Sequence, residues 1–316
     1  MGALVSEDEV TTALLPGVAR PLTFSRRLRR RGPRSFDALV RRSRARNATS
    51  RQPQDGKLPY CSNMPSFDTS FTMMHANIRG FISHRAELEA SISLLPAMPS
   101  IVCLNETFLD KSVLSIALSG YVLLSRRDGD CNGGGIAIFI HDSLASSAVL
   151  AEHSEKAERS WIYVHTDHGP VLVGVWYRPP NKDAYFVESL TSEWLQLSRD
   201  AIGTIIVGDL NVHHLHWLKF SSHTAPEGTA LYRFCSDHGF TQHVREPTRE
   251  GHLLDLVLSD LEVPVPTVVL PKIADHGLVL ASFSLGVPSE VAHFRDVWQY
   301  AKADWAGLNS ALAGKN

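Results

Sequence analysis

Between residues 71 and 285 the sequence is built from short segments that are apolar along nearly their whole length. They read FTMMHAN (71–77), SIVCLNE (100–106), YVLLSR (121–126), GGIAIFI (134–140), WIYVHT (161–166), VLVGVWY (171–177), TIIVGD (204–209), LLDLVLS (253–259) and GLVLASFSL (277–285). A strand with one wet face alternates polar and apolar residues, whereas a strand covered by helices or by a second sheet does not need to. These runs therefore predict covered sheets. Helix candidates are fewer, by roughly one to two. One runs from His84 to Leu95 with Leu88, Ile92 and Leu95 on a face, one carries Val187, Leu190, Trp194 and Leu197, and one carries Leu231, Phe234 and Cys235. The pattern predicts a layered α/β domain over 71–286, with no repeat at solenoid periods.

Charge separates the rest of the chain from this domain. Twelve arginines and one acid, Asp37, lie between Arg20 and Arg51, while 19 Lys and Arg face 29 Asp and Glu from Gln52 onward. Segment 1–70, rich in Arg, Ser and Pro, is predicted to be a disordered arm and linker. Its run RRLRRR (26–31) suits a polyanion such as DNA or RNA, or nuclear import, and equally a plain solvated tail. Nuclear, otherwise cytoplasmic, localisation follows, without secretion, because no basic-then-apolar signal pattern opens the chain. No apolar stretch approaches the roughly 20 residues that span a bilayer, so no membrane partner is expected. Cys61, Cys103, Cys131 and Cys235 are scattered without a C-x-x-C pair, which argues against a disulfide framework or a zinc cluster. Residues 287–316 can form an amphipathic helix.

Polar residues recur where the apolar runs stop. Asn77 follows MMHA, Glu106 follows IVCLN, Tyr177 follows GVW, Asp209 and Asn211 follow IIVG, and Asp275 and His276 precede the last run. In layered α/β folds, loops at one sheet edge gather such side chains into a cleft. Glu106, Asp209 and Asp275 are hard oxygen ligands, and Asn77 and Asn211 add neutral oxygen, a set suited to Mg²⁺ or Mn²⁺. Such an ion neutralises phosphate. His276 fits a phosphate contact or a general acid or base. Asp255 lies inside LLDLVLS, where a lone charge is costly to bury, and makes sense paired with a histidine. Taken singly, each residue has a plainer role: Asp and Asn are common turn formers, and Glu106 can cap a helix. His213, His214 and His216 invite a zinc assignment, but a zinc site normally needs four well-placed ligands. The glycines of CNGGGIAIFI match no phosphate-loop spacing and suggest a tight turn before a strand.

The motifs and their order resemble the endonuclease/exonuclease/phosphatase superfamily, which includes apurinic/apyrimidinic endonucleases and pancreatic DNase. They are ANIRG, LNETFLD, VWYRPP, GDLNVHHLHW, LLDLVLSD and ADHGLVLASF, spanning about 71–285. NVHHLHW, YRPP, EPTREGHLLDLVLS and KADWAGL are more similar still to endonuclease domains of non-LTR retrotransposon polyproteins. The resemblance implies a four-layered α/β sandwich, DNase I-like, with two packed mixed sheets flanked by helices. It implies a Mg²⁺-dependent DNA endonuclease (Mn²⁺ as substitute) that leaves a 3′-hydroxyl, with 287–316 as a connector toward a reverse transcriptase absent from this sequence. It assigns Glu106, with Asn77 and Asp275, to the metal. Asp209 would activate the water, Asn211 would bind phosphate and position Asp209, and His276 oriented by Asp255 would contact the phosphate. Tyr177 would lie beside the scissile bond, with Thr248 and Arg178 as nucleic-acid contacts. Asn105 stands where many relatives have Gln, and MMHANIRG replaces the commoner WN context. The alternatives are cleavage of RNA or a small phosphoester, and an inactive nucleic-acid-binding remnant.

Overall fold

The computed structural model describes residues 71–129, 133–153, 158–180, 185–288 and 304–313. By its contacts the chain divides into Met1–Pro59 and Tyr60–Asn316, and every described residue belongs to the second unit. The arginine-rich arm, Cys61, Cys131 and most of the segment after 288 lie outside the described residues. In the tail a helix forms over Trp305–Ala313.

Among the described residues, twelve strands form two mixed six-stranded sheets. In chain order the elements are β1 (Phe71–Asn77), α1 (Phe81–Ser93), β2 (Ile101–Asn105), β3 (Tyr121–Arg127), β4 (Ile136–His141), β5 (Ala148–His153), β6 (Arg159–Thr166), β7 (Gly169–Trp176), α2 (Phe186–Leu197), β8 (Gly203–Asp209), α3 (Pro226–His238), β9 (Thr241–Gln242), β10 (Asp255–Ser259), β11 (Thr267–Ile273) and β12 (His276–Phe283). The first sheet has the order β11-β12-β1-β2-β4-β3, and the second β5-β6-β7-β8-β10-β9. Both follow one plan. A parallel pair joined through a helix, β1/β2 by α1 and β7/β8 by α2, is flanked by antiparallel strands. No sequence repeat accompanies this topological one.

The apolar runs of β1, β2, β4, β7, β8, β10 and β12 are covered on both faces, as predicted, whereas that of β3, at a sheet edge, is only partly buried, with Val122 exposed. In the first sheet Phe71, Met73, Ile101, Cys103, Ile136 and Ile138 face the second sheet. The alternate positions Met74, Ala76, Val102, Leu104, Ala137 and Phe139 pack with Phe81, Leu88 and Ile92 of α1. Phe186, Val187 and Leu190 of α2 and Leu231 and Phe234 of α3 join the core formed with the second sheet. Fully burying one such side chain stabilises by about 1.5–3 kcal/mol. The result is the four-layered α/β sandwich that the resemblance implied.

Three strands escape the apolar pattern: β5, β9 and β11. All belong to sheet edges or their outermost pairs. β9 is two residues long. β11 contains Pro271 at an irregularity between Leu270 and Lys272, an arrangement an edge tolerates because no neighbour needs the missing N–H. β5 is likewise bulged between Leu150 and Glu152.

Candidate active site

The C-terminal ends of β1, β2, β7 and β8 meet the first residues of β10 and β12. Asn77, the last residue of β1, donates from Nδ2 to Glu106 Oε1 (2.9 Å) and to Asp209 Oδ2 (2.8 Å). Tyr177 donates its hydroxyl to the same Glu106 oxygen (2.8 Å). Asp255 stands opposite Asp209 in the β8/β10 ladder. An ionised carboxylate only accepts hydrogen bonds. Asp255 Oδ2 thus takes His276 Nδ1–H (2.7 Å), and its Oδ1 takes His75 Nε2–H (2.9 Å). His276 Nε2 lies 3.9 Å from Asp209 Oδ2, too far for a hydrogen bond, and has no partner among the described residues.

The local sequence explains how these groups are held. A Cβ on Gly208 would lie 1.7 Å from the Trp176 carbonyl oxygen, so only glycine lets β8 approach the exit of β7 this closely. Asn105 ends β2 and accepts the Asp209 N–H through Oδ1 (2.9 Å), tying the strand that presents Glu106 to the one that ends in Asp209. The carbonyls of Gly135 and Gly134 accept from Thr107 N (3.3 Å) and Phe108 N (3.0 Å) and brace the Glu106 loop. This is the work of the glycine run. Arg79, Glu106, Asn211 and Ala274 all take positive φ at the strand ends around the site. Such strain persists where surrounding contacts over-determine it, and it concentrates at functional positions.

Burial and proximity shift the titration of the buried groups. Burial, then the Asp255 charge, pushes the Asp209 carboxyl up to about 8, against the opposing pull of His276 and the Asn77 hydrogen bond. Burial also works to raise Asp255, but the bonds from His276 and His75 and their charges outweigh it and hold this carboxyl below the usual range. For His276, burial lowers the pKa, while the Asp255 hydrogen bond and the surrounding carboxylates more than reverse it, so it stands above the ordinary imidazole value. Burial, then Glu106, raises Tyr177, which stays a hydrogen-bond donor.

Asn77, Glu106, Tyr177, Asp209, Asp255 and His276 are thus joined in one place. Other residues named from the sequence sit differently. Asn211 donates Nδ2 to the Arg178 carbonyl (3.0 Å) and reaches Asp209 only through its backbone N–H (3.3 Å). Asp275 is at the rim, where Arg79 (3.0 Å) and Arg249 (2.8 Å) share its Oδ2. Arg178 is 5% exposed, binding the Asn211 carbonyl (3.0 Å) and Glu227 (3.0 Å). Thr248 is 1% exposed, and its Oγ1 accepts from Leu254 N and Asp255 N, both at 3.2 Å. Both hold the frame of the site, and the rim cations are Arg79 and Arg249. His75 was not anticipated. Its one signal in the sequence is a polar residue inside an apolar run, two positions before Asn77.

His213, His214 and His216 do not converge. His214 is buried and its Nδ1 accepts from Trp217 N (3.1 Å), while His213 faces His223 and His252, with ring centroids 4.4 and 5.6 Å away. These three rings, with Ser222, Arg249, Glu250 and Leu254, line a recess of about 240 Å³ beside the site.

Two places suit a metal ion differently. Ligand atoms of Asp209, Asp255 and His276 all lie within 4.8 Å of one another and could hold one. Yet both Asp255 oxygens are taken by imidazole N–H groups, Oδ2 by His276 Nδ1 and Oδ1 by His75 Nε2, which makes Asp255 a hydrogen-bond acceptor for two histidines first. Asn77 Oδ1, by contrast, is buried with no partner among the described residues, beside the Glu106 carboxylate. An orphaned neutral oxygen next to a carboxylate is a donor set for a hard divalent cation. No helix among the described residues is long and apolar enough to cross a membrane.

The model of the Endonuclease/Exonuclease/phosphatase family matches residues 74–276. Among solved structures, the endonuclease domain of TRAS1, a telomere-specific non-LTR retrotransposon, superposes with a TM-score of 0.53 at 14% identity over 68% of this chain and 99% of that one. The AP endonuclease LMAP from Leishmania major gives 0.56 at 14% identity, over 68% and 88% of the two chains. The Xenopus laevis APE2 catalytic domain gives 0.56 at 16% identity, over 71% and 94%. At these identities the likeness is one of fold. No curated protein matches the sequence. With the family match running from within β1 to the first residue of β12, this chain belongs to the Endonuclease/Exonuclease/phosphatase family.

Proposed function

We propose that this protein is a divalent-metal-dependent DNA endonuclease, the endonuclease part of a non-LTR retrotransposon polyprotein, which cuts a phosphodiester to leave a 3′-hydroxyl. The observation that carries the reading is the connected cleft in which Asn77, Glu106 and Tyr177 meet Asp209 and the His276–Asp255 pair. Family membership supports phosphoester hydrolysis, and the fold likeness to a retrotransposon endonuclease domain supports the narrower choice.

The residues divide the work by position. Asp209 orients a water and takes its proton as the water oxygen attacks phosphorus. The P–O3′ bond breaks on the opposite side, so the 3′ oxygen leaves with the bonding pair and takes a proton from solvent water to become the 3′-hydroxyl, and the phosphate stays on the 5′ end. The 3.9 Å between His276 Nε2 and Asp209 Oδ2 leaves His276 free to donate a hydrogen bond to a non-bridging phosphoryl oxygen. Asp255 keeps that imidazole oriented through Nδ1. Glu106 and Asn77 would hold the cation, with Tyr177 fixing the Glu106 carboxylate. A divalent ion there supplies positive charge that neutralises phosphoryl oxygens and lowers the proton affinity of nearby carboxyls.

The deciding experiment is nicking of supercoiled plasmid with Mg²⁺ or with EDTA, beside Asp209→Ala and His276→Ala. Metal-dependent nicking lost in both variants is the expected result, and nicking that survives both overturns the assignment. The excess of acids over bases from Gln52 onward disfavours polyanions and so favours one alternative, a small phosphoester as substrate. Cleavage of such a substrate with the plasmid left intact would select it.

A further inference from the structure

His75 lies in β1 on the face directed at the second sheet, the parity of Phe71, Met73 and Asn77, and is 1% exposed. We propose that His75 is a positioning residue for the hydrolysis: it fixes the rotation of the Asp255 carboxylate and, through it, the orientation of His276. The proposal rests on the phosphodiesterase reading of the site.

The geometry leaves Asp255 one degree of freedom that His75 removes. Its backbone is fixed by the β8/β10 ladder and by the bond from its N–H to Thr248 Oγ1 (3.2 Å). The terminal torsion of an aspartate, however, is soft and broad. A single bond to His276 Nδ1 would let the carboxylate swing. The second bond, from His75 Nε2 to Oδ1 at 2.9 Å, ties the other oxygen and sets the carboxylate plane. His276, bonded to Oδ2 at 2.7 Å, is then held with Nε2 toward Asp209.

Packing alone does not account for a histidine here. His75 Nδ1 is buried with no partner among the described residues, and an unsatisfied buried nitrogen is unfavourable. An apolar side chain, like Met73 and Met74 beside it, would fill the space without that penalty. What an apolar residue cannot supply is the N–H for Asp255 Oδ1. The three partners also come from different strands: β1 and β12 in the first sheet and β10 in the second. The bond from His75 therefore fixes the site across the sheet interface.

The test uses the full-length protein with His75→Leu, which fills the space without a donor, and His75→Gln, whose side-chain amide restores one. Two readouts are needed. The first is steady-state cleavage of a duplex oligonucleotide with Mg²⁺. His75→Leu is expected to lower kcat by about 10–100-fold, the range typical of groups that orient a catalytic ligand. KM should change by less than about 3-fold, and His75→Gln should recover most of kcat. The second is NMR of the imidazole N–H protons, which needs no activity. The wild type should show a His276 Nδ1-bound proton and a His75 Nε2-bound proton, both shifted downfield by Asp255, and His75→Leu should weaken or lose the His276 signal. A folded His75→Leu protein with wild-type kcat and an unchanged His276 signal overturns the proposal. If the wild type cleaves nothing, the function is wrong, and the NMR comparison still decides whether His75 orders His276. If His75→Leu fails to fold, the wild-type spectrum decides: His75 carrying no proton on Nε2 overturns the proposal.

Discussion

Asp209 is 0% exposed, and its ionisation opposes folding. Its folded pKa of about 8 exceeds the ordinary carboxylate value near 3.9. The folded state therefore holds a proton that the unfolded chain has released, and stability falls as pH rises between those values. His276, raised in the fold, acts in the same direction: its contribution is complete below about 6.5 and is lost as pH rises through the folded value. Asp255, lowered in the fold, contributes above about 4 and loses that contribution as pH falls. Asp209→Asn should therefore abolish cleavage yet stabilise the metal-free protein at pH 8. At about 1 kcal/mol, Tm would rise by about 2–4 °C. The gain should vanish at pH 4, which melting curves at the two pH values would show. A gain of equal size at both would mean that the Asp209 charge is not its source. Glu106→Gln tests the metal assignment at the same scale. Mg²⁺ should raise the Tm of the wild type by binding to the folded state and leave that of the variant unmoved.

At the scale of elements, the approach of β8 to the exit of β7 is the tightest requirement around the site. Gly208→Ala forces a Cβ to within 1.7 Å of a backbone oxygen that cannot rotate away. Strain of this kind costs about 1–3 kcal/mol, occasionally more, and here it pushes apart the strand ends that present Tyr177 and Asp209. Gly239 provides the comparison: it ends α3 at φ 76° with nothing near the position of a Cβ. Gly239→Ala meets only the backbone penalty of about 1 kcal/mol. Circular-dichroism melts should rank Gly208→Ala as the more damaging, and cleavage should fall steeply only in that variant. Equal melts and equal activities would remove the role assigned to Gly208. The elements also show where the sequence was legible. The runs at β1, β2, β7, β8 and β12 are apolar because both faces are covered. The bulged β5 and β11 and the two-residue β9 lack that continuous signature.

At the scale of the whole molecule, charge is the open relation between the acidic domain and the arginine-rich arm. If the arm supplies duplex affinity, a chain beginning at Tyr60 should bind DNA more weakly. The logarithm of its affinity should also fall less steeply with the logarithm of salt, because fewer counterions are released. Fluorescence anisotropy at several salt concentrations measures both quantities, and an unchanged slope would exclude the arm from binding. The residues to which the proposed hydrolysis gives a role, Asn77, Glu106, Tyr177, Asp209, Asp255 and His276, could be named from the sequence because each sits where an apolar run begins or ends, or as a lone charge within one. Their partners could not. Asn77 and Asp209 are 132 positions apart, His75 and Asp255 180, and Arg79 and Asp275 196. Periodicity and turn chemistry act over a few residues and determined the strands, the helices and the polar strand ends. The order of strands in two packed sheets decided that His75 reaches Asp255, that two arginines hold Asp275, and that Thr248 and Arg178 turn inward. Those outcomes depend on which distant backbones become neighbours, and local sequence chemistry does not encode that separately from the fold.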